Sequence, residues 1–380
     1  MSLLKLLGAV PSAAVLAAFL AACAGPGPVS RAPTGQSESG PLSTLTGTPS
    51  VSQIVAAERL TPVPWSSVLG WGDDDFIGST AALHQSCLRL GGLPDWRRPC
   101  ALATQLDPLD GTSVRDFFER NFTPFQLAKS DGSVVGLVTG YYEPLLHGSR
   151  VRHAPYLYPL YRMPEGVRRG ATMGSRTELE RSGVLNGAEL VYVDDPIEAF
   201  FLQVQGSGQV VMDDGSVMRV GFGGTNNRPY RSIGKWLLDA RELTPSQATM
   251  QGIKAWAKAN PDRVGALLDV NPRFVFFREM PTLSNDEPQG PIGSLGVPLT
   301  PERSIAVDPT SIPLGMPVFL STTRPLSGTR MDRLVFAQDT GSAIKGGVRA
   351  DFFWGLGDEA GELAGRMKQA GRMWILLPHN

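Results

Sequence analysis

The chain has 380 residues, 42% of them hydrophobic and 19% charged, which is ample for one large or two medium packed domains and excludes a wholly disordered chain. Its formal charge of −1 gives no basic face, so a nucleic-acid partner is not expected.

Residues 1–22 read as a signal peptide: Lys5 supplies a positive start, Leu6 to Leu20 an apolar stretch rich in Ala, and Leu20-Ala21-Ala22-Cys23 resembles the lipobox of bacterial lipoproteins. The alternative, a buried helix, has only the apolar run in its favour, and that run is short for a spanning helix once the cleavage site is subtracted. Cys23 then becomes the acylated first residue, and its lipid holds the protein at a membrane without a spanning helix. Ala24, where Asp would favour retention in the inner membrane, points to the periplasmic face of the outer membrane. Residues 23–54 are Gly, Pro, Ser and Thr with few large apolar side chains, and read as a disordered tether or a maturation remnant.

The folded part is expected from residue 55. Residues 79–90, opening with Ser79-Thr80, and 113–121, with Val114, Phe117 and Phe118 on one face, read as helices. Cys87 and Cys100 remain once Cys23 carries lipid. An oxidising compartment permits a disulfide between them; two buried free thiols are the alternative, and spacing alone does not decide. From Ser133 to about Gly223 short β-branched runs dominate, including Glu189 to Val193, Phe200 to Val204, Gln209 to Met212 and Ser216 to Val220, with Asp213-Asp214-Gly215 as a hairpin turn. Helices return at 232–240, at 245–259 after a Thr244 cap, and at 261–270 after Asn260. Strands then follow at 274–278, 304–307, 317–320, 334–338 and 373–377, with a helix near 359–370. Five short strands with Gly and Pro turns favour a small closed barrel over a parallel sheet with crossover helices.

Asp339 and Asp351 bracket a segment dense in Gly and small residues, where a substrate can approach the backbone closely. A carboxylate desolvated there holds its proton near neutral pH and can donate it. The competing reading has Asp339 capping a turn and Asp351 paired with Lys345 or Arg349. Asp339-Thr340-Gly341 also resembles an aspartic-protease turn, but those enzymes need two and this chain has one. His84, His147, His153 and His379 are scattered, so neither a metal nor another cofactor is expected. Gly206-Ser207-Gly208 lacks the flanking pattern of a nucleophilic serine, and Gly221-Phe222-Gly223-Gly224 that of a phosphate loop. Three stretches, Gly140 to Pro144, Gln203 to Gly208 and Gly223 to Tyr230, mix aromatic faces with amide side chains, which suits the apolar faces and hydroxyl groups of sugars.

At these motifs the chain resembles the membrane-bound lytic murein transglycosylase A family. The likeness covers Val138 to Pro144, Tyr158 to Tyr161, Phe201 to Gly208, Asn226 to Ile233, Asn271 to Phe277, Gly293-Ser294, Leu299 to Asp308, Ile312 to Gly315 and Asp339 to Gly355. It implies a mainly β fold: a double-psi β-barrel catalytic domain from residues 55–140 and 275–380, an inserted β-barrel domain over 141–274 for substrate binding, and peripheral helices. It places the catalytic Asp on Asp351, in Arg349-Ala350-Asp351-Phe352-Phe353, and a second active-site Asp on Asp339; Asp308 is assigned no catalytic role. Gly341-Ser342, where many relatives have Gly-Gly, is the chief departure and disturbs the assignment little. The candidate substrate contacts are Thr139, Tyr141, Tyr142, Glu143, Gln203, Gln205, Gly206, Ser207, Asn226, Asn227, Tyr230 and Lys345.

The implied substrate is the glycan strand of peptidoglycan, cut between N-acetylmuramic acid and N-acetylglucosamine without water, with the muramic acid 6-hydroxyl as nucleophile. Asp351 would donate a proton to the leaving oxygen and then take one back as the 1,6-anhydro ring closes. Asp339 would orient Asp351 or support its proton, and the acetamido group or a backbone carbonyl would stabilise the cationic state. A binding lipoprotein that lost the chemistry is the rival class, and both aspartates argue against it. Protein partners, oligomeric state and the stem-peptide requirement are not readable from the sequence.

Overall fold

In a computed structural model of the chain, residues 60–379 are described, except 169, 282–289 and 342. The signal peptide, Cys23, the tether and Ser342 lie outside these residues. The first strand, β1 (Leu60–Pro62), is followed by three helices, α1 (Ser79–Leu90), α2 (Pro94–Ala103) and α3 (Gly111–Asn121). A disulfide joins Cys87 of α1 to Cys100 of α2, with α carbons 5.5 Å apart. The start of α3 is fixed by Asp110, whose carboxylate accepts from the backbone N–H groups of Thr112 and Ser113. Its buried Val114, Phe117 and Phe118 fall at the three- and four-residue spacing of one helical face. Gly78 rather than Ser79 or Thr80 is the N-cap of α1, and both of those residues are buried inside the helix.

After β2 (Phe122–Leu127) and β3 (Gly136–Glu143) the chain leaves for a second sheet. It runs through β4 (Leu145–Ser149), β5 (Tyr158–Tyr161), α4 (Arg176–Ser182), β6 (Glu189–Val193), α5 (Pro196–Gln205), β7 (Gly208–Met212) and β8 (Val217–Thr225). Three helices, α6 (Ile233–Asp239), α7 (Met250–Ala259) and α8 (Val264–Asp269), precede β9 (Val275–Met280). The chain then returns to the first sheet with β10 (Ser304–Val307), β11 (Pro317–Thr323), β12 (Arg330–Thr340), β13 (Arg349–Leu356), α9 (Gly357–Arg366) and β14 (Lys368–Pro378).

The first sheet closes on itself as β3-β14-β11-β12-β10-β13, with β2 and β1 paired outside β14. Two of its pairings, β10 with β12 and β13 with β3, are parallel, and the rest are antiparallel. This is the double-psi barrel that was expected. The buried rings of Phe118, Phe122, Phe319, Phe336, Phe352 and Trp374 belong to its core. The second sheet has the order β5-β6-β4-β7-β8-β9, with no pairing between β5 and β9 among the described residues, and is a half-barrel rather than a closed one. A mainly β chain with helices at its periphery therefore holds as the fold class.

Several local expectations differ from the structure; the helix read over 245–259 after a Thr244 cap starts only at Met250 and is capped by Thr249. Phe200 to Val204, read as a strand, lies inside α5: the Asp195 side chain accepts from Ile197 N and Glu198 N, Pro196 opens the helix, and Ile197, Phe200 and Phe201 are buried at helical spacing. Capping and one-sided burial override the β preference of Phe and Val. Strand β9 belongs to the half-barrel through its antiparallel pairing with β8, although residues from 275 on had been placed in the first barrel. Finally, β13 was not read as a strand at all, because its glycine-rich approach masks the alternation, and β14 starts at Lys368, inside the region read as helix.

Candidate active site

Strand β13 lies between β10 and β3, and the pairing sets Asp351 opposite Ala306 of β10 on one side and Thr139 of β3 on the other. Ala306 is also the partner of Asp339 on β12. The two aspartates thus occupy the strands either side of one alanine, with α carbons about 10 Å apart at ordinary strand spacing.

Asp351 as a residue is half-buried. Thr139 Oγ1 donates to its Oδ1 at 2.5 Å, and Arg349 Nη2 donates to the same Thr139 oxygen at 2.9 Å. A hydroxyl has one proton and a guanidinium can only donate, so the Thr139 proton points at Asp351. Burial raises the Asp351 pKa above the usual carboxylate value; the Thr139 bond and the Arg349 charge pull against this, and the Asp339 charge adds to the rise.

Asp339 has different surroundings. It accepts from Ser294 N at 2.9 Å, from Ser294 Oγ at 2.8 Å and from Tyr141 Oη at 3.2 Å. Burial, with the charges of both aspartates, holds the Tyr141 hydroxyl well above its usual pKa, so it stays protonated and donates. The Tyr141 ring packs on Phe353 of β13, centroids 5.2 Å apart. Two carboxylates on the strands that flank β10 therefore have opposed surroundings. One is desolvated and inclined to hold a proton; the other is held by three donors.

A groove of about 980 Å³ runs between the barrel and the half-barrel and is lined by both aspartates. Its opposite wall is built on α5. Arg176, buried between the rings of Phe200 and Phe274 at 5.2 and 4.9 Å, donates to Gln203 Oε1 at 2.6 Å. Val275 N donates to the same oxygen at 3.4 Å. With its oxygen committed, Gln203 offers the groove its amide N–H groups. Gly206, at φ +86°, ends α5 in the left-handed conformation and turns the chain into β7. Glu143, almost wholly buried at the end of β3, is pushed up to about 7 by that burial, against a hydrogen bond from Gln209 Nε2 at 3.1 Å and the charge of Arg219.

Of the residues expected to contact substrate, Thr139, Tyr141, Tyr142, Glu143, Gln203, Gln205, Gly206, Ser207 and Tyr230 line the groove, and Asn226, Asn227 and Lys345 do not. Asn226 is fully buried and spent on structure: Nδ2 donates to Gly174 O and Pro272 O, both at 2.8 Å, and Oδ1 accepts from Phe274 N at 2.8 Å. Asn227 ties the chain to Gly170 O, and Lys345 is exposed to solvent. Sequence reasoning missed Arg349 as a partner of Thr139, Ser294 as a donor to Asp339, and Phe222, Arg219, Arg273 and Arg278 as groove residues. Ser294, Arg273 and Arg349 each lay inside a motif shared with the family, whereas Arg219 and Arg278 carried no signal. Among the described residues no helix is long and apolar enough to cross a membrane.

Comparison with known proteins matches residues 137–278 to the MltA specific insert domain and residues 303–377 to the 3D domain. The chain is 33% identical over 276 residues to the membrane-bound lytic murein transglycosylase A of Escherichia coli (strain K12), covering 70% of this chain and 72% of that one. The solved structure of the lytic transglycosylase LtgG of Burkholderia pseudomallei is 69% identical, with a TM-score of 0.69 over 85% of this chain and 96% of that one. The structure of E. coli MltA with bound chitohexaose is 30% identical, with a TM-score of 0.68 over 85% and 95% of the two chains.

Proposed function

This chain belongs to the membrane-bound lytic murein transglycosylase A family, and from that premise we propose that it cleaves peptidoglycan strands without water, leaving 1,6-anhydro-N-acetylmuramic acid ends. The observation that carries the reading is Asp351 itself: a groove-lining carboxyl group whose pKa is raised by burial and whose Oδ1 is engaged by Thr139. With Oδ1 accepting that bond, the acidic proton belongs on Oδ2.

In this mechanism Asp351 gives that proton to the glycosidic oxygen as the bond to the anomeric carbon breaks. Its carboxylate then removes the proton of the muramic acid 6-hydroxyl as that oxygen closes on the same carbon. The nucleophile is part of the substrate and stands at high effective concentration, so no water need be bound. A single carboxyl group then serves as acid and base, where hydrolysis uses two. Asp339, held in place by Ser294 and Tyr141, lines the groove near the developing oxocarbenium ion and contributes to the rise of the Asp351 pKa. The half-barrel wall supplies donors for the sugar's hydroxyl and acetamido groups through Gln203, and the exposed Phe222 ring offers an apolar face for stacking.

The substrate is supported by the E. coli relative's structure with bound chitohexaose. A lipid anchor on Cys23, a leader over residues 1–22, outer-membrane placement and a division into barrel and inserted domains are part of the same reading, with the relative's description as membrane-bound in support. Replacing Cys23 by Ala should move the protein from the membrane to the soluble periplasmic fraction. Mass spectrometry of products from purified sacculi tests the reaction. Anhydro ends are expected; reducing ends would mean a hydrolase, and no cleavage a binding protein.

A further inference from the structure

The half-barrel wall holds more positive charge than an uncharged sugar chain can use. Arg219 of β8, Arg273 just ahead of β9 and Arg278 within β9 all line the groove. Arg219 is 7% exposed; its Nη2 donates to Gly290 O at 2.7 Å, while its Nε is buried without a hydrogen-bond partner. The guanidinium groups of half-buried Arg273 and exposed Arg278 have neither a hydrogen bond nor an ion pair among the described residues. Two other arginines on this half of the molecule are ion-paired, Arg150 with Glu279 at 2.7 Å and Arg181 with Asp269 at 3.7 Å. Glu143, an acid on which the Arg219 charge acts, is itself inclined by burial to hold its proton near neutral pH.

Arginine's planar fork is matched to carboxylates, and a charge-assisted pair of this kind is stronger than a hydrogen bond to a neutral hydroxyl. A glycan of N-acetylated sugars presents no carboxylate once its lactyl groups are in amide linkage. The stem peptides borne on those lactyl groups do present them. Arg273 and Arg278 lie five residues apart on extended chain, about 17 Å, so they would meet separate points along a bound strand.

We propose that Arg273 and Arg278, backed by Arg219, form a binding site for the carboxylates of stem peptides, so that the protein selects peptide-bearing strands over bare glycan. This rests on the reading of the groove as a peptidoglycan site, and binding separates it from the reaction.

The test uses Asp351→Asn protein, so that nothing is cut, and glycan strands from sacculi either intact or stripped of peptide by an amidase, with the lactyl carboxylates so freed then capped as methylamides. Intact strands should bind about tenfold more tightly, the size of one charge-assisted hydrogen bond. That ratio should fall toward one in Arg273→Gln/Arg278→Gln, which removes charge from two accessible positions, and should fall with added salt. Equal binding of the two strands, or a ratio that the double substitution leaves intact, overturns the proposal. Anhydro ends formed by the wild-type protein together with equal binding would remove the arginine site and leave the reaction standing. Unequal binding abolished by the double substitution supports the site whatever the products are.

Discussion

Two buried arginines separate the barrel from the half-barrel. In the barrel, Arg303 meets Asp74 through two bonds of 2.7 and 3.0 Å, Asp75 at 2.8 Å, and the carbonyls of Ile77 and Leu334. In the half-barrel, Arg176 meets Gln203, the carbonyls of Asn271 and Arg273, and two phenylalanine rings, with its one ion pair to the half-exposed Glu180 at 3.5 Å. The barrel spends charge on charge and so fixes a frame in which a carboxyl group can be desolvated without the strands shifting. The half-barrel spends charge on neutral oxygens and leaves amide donors and unpaired guanidinium groups facing the groove. Proton chemistry belongs to the first arrangement and ligand recognition to the second.

The sharpest way to break that division is at Asp351. Asp351→Asn removes both the acid and the base while leaving the half-barrel wall untouched, so turnover of sacculi should fall roughly 10⁴-fold, the upper range for acid–base catalysis, with strand binding kept. Anhydromuropeptide release measured beside a strand-binding assay checks both halves. A loss of binding as large as the loss of turnover would show that catalysis and recognition are not divided between the walls.

Next in size is Arg303. Arg303→Met takes the bidentate partner from the buried Asp74 carboxylate and leaves it the single Arg333 contact at 3.0 Å, so unfolding free energy should fall by about 3 kcal/mol, the low end for a broken buried pair, read from urea denaturation. Burial opposes ionisation of Asp74, but the Arg303 guanidinium and the N–H groups of Leu334 and Phe76 outweigh it and hold the carboxyl below its usual range. The folded-state pKa is thus depressed. The stability this contributes is present above the unfolded value near 3.9 and is lost as pH falls through the folded value. Arg176→Met should cost less, about 2 kcal/mol, because its main partners are neutral. It should also raise KM for strands more than it lowers kcat, since Gln203 loses the bond that turns its amide toward the groove.

What the sequence made legible follows the same line. Elements with local signals were readable: the strand at Glu189–Val193 and the strand at Ser304–Val307 lie where β-branched runs put them. Asp195-Pro196 was an equally local helix signal, and overlooking it turned the start of the groove's recognition wall into a strand. Asn226 was taken for a sugar contact because amides suit sugars, yet the same four hydrogen-bonding sites suit a loop that must satisfy buried backbone groups, and nothing local distinguishes the two uses. The pairing of Thr139 with Asp351 spans 212 residues. It arises from the parallel register of β3 and β13, which no window of sequence contains.

That long-range contact gives the smallest effect, and the one most specific to mechanism. Thr139→Val keeps the shape of the side chain but removes the proton that Asp351 Oδ1 receives. The carboxylate loses a donor, so its pKa, already raised by burial, rises further. As an acid Asp351 then stays protonated to higher pH, and the basic limb of the turnover profile should move upward. As a base the carboxylate is formed at greater cost and held in place less firmly, so turnover should fall about tenfold, the worth of one hydrogen bond to a charged group. Arg349 would keep its backbone acceptors at Leu137 and Ala350, so the barrel should unfold at nearly the wild-type urea concentration. Thr139→Ser, which restores the hydroxyl without the methyl group, should return the limb to its original position. A profile unmoved by Val would mean that Asp351 takes its protonation behaviour from burial alone, and that Thr139 serves the strand pairing and not the proton.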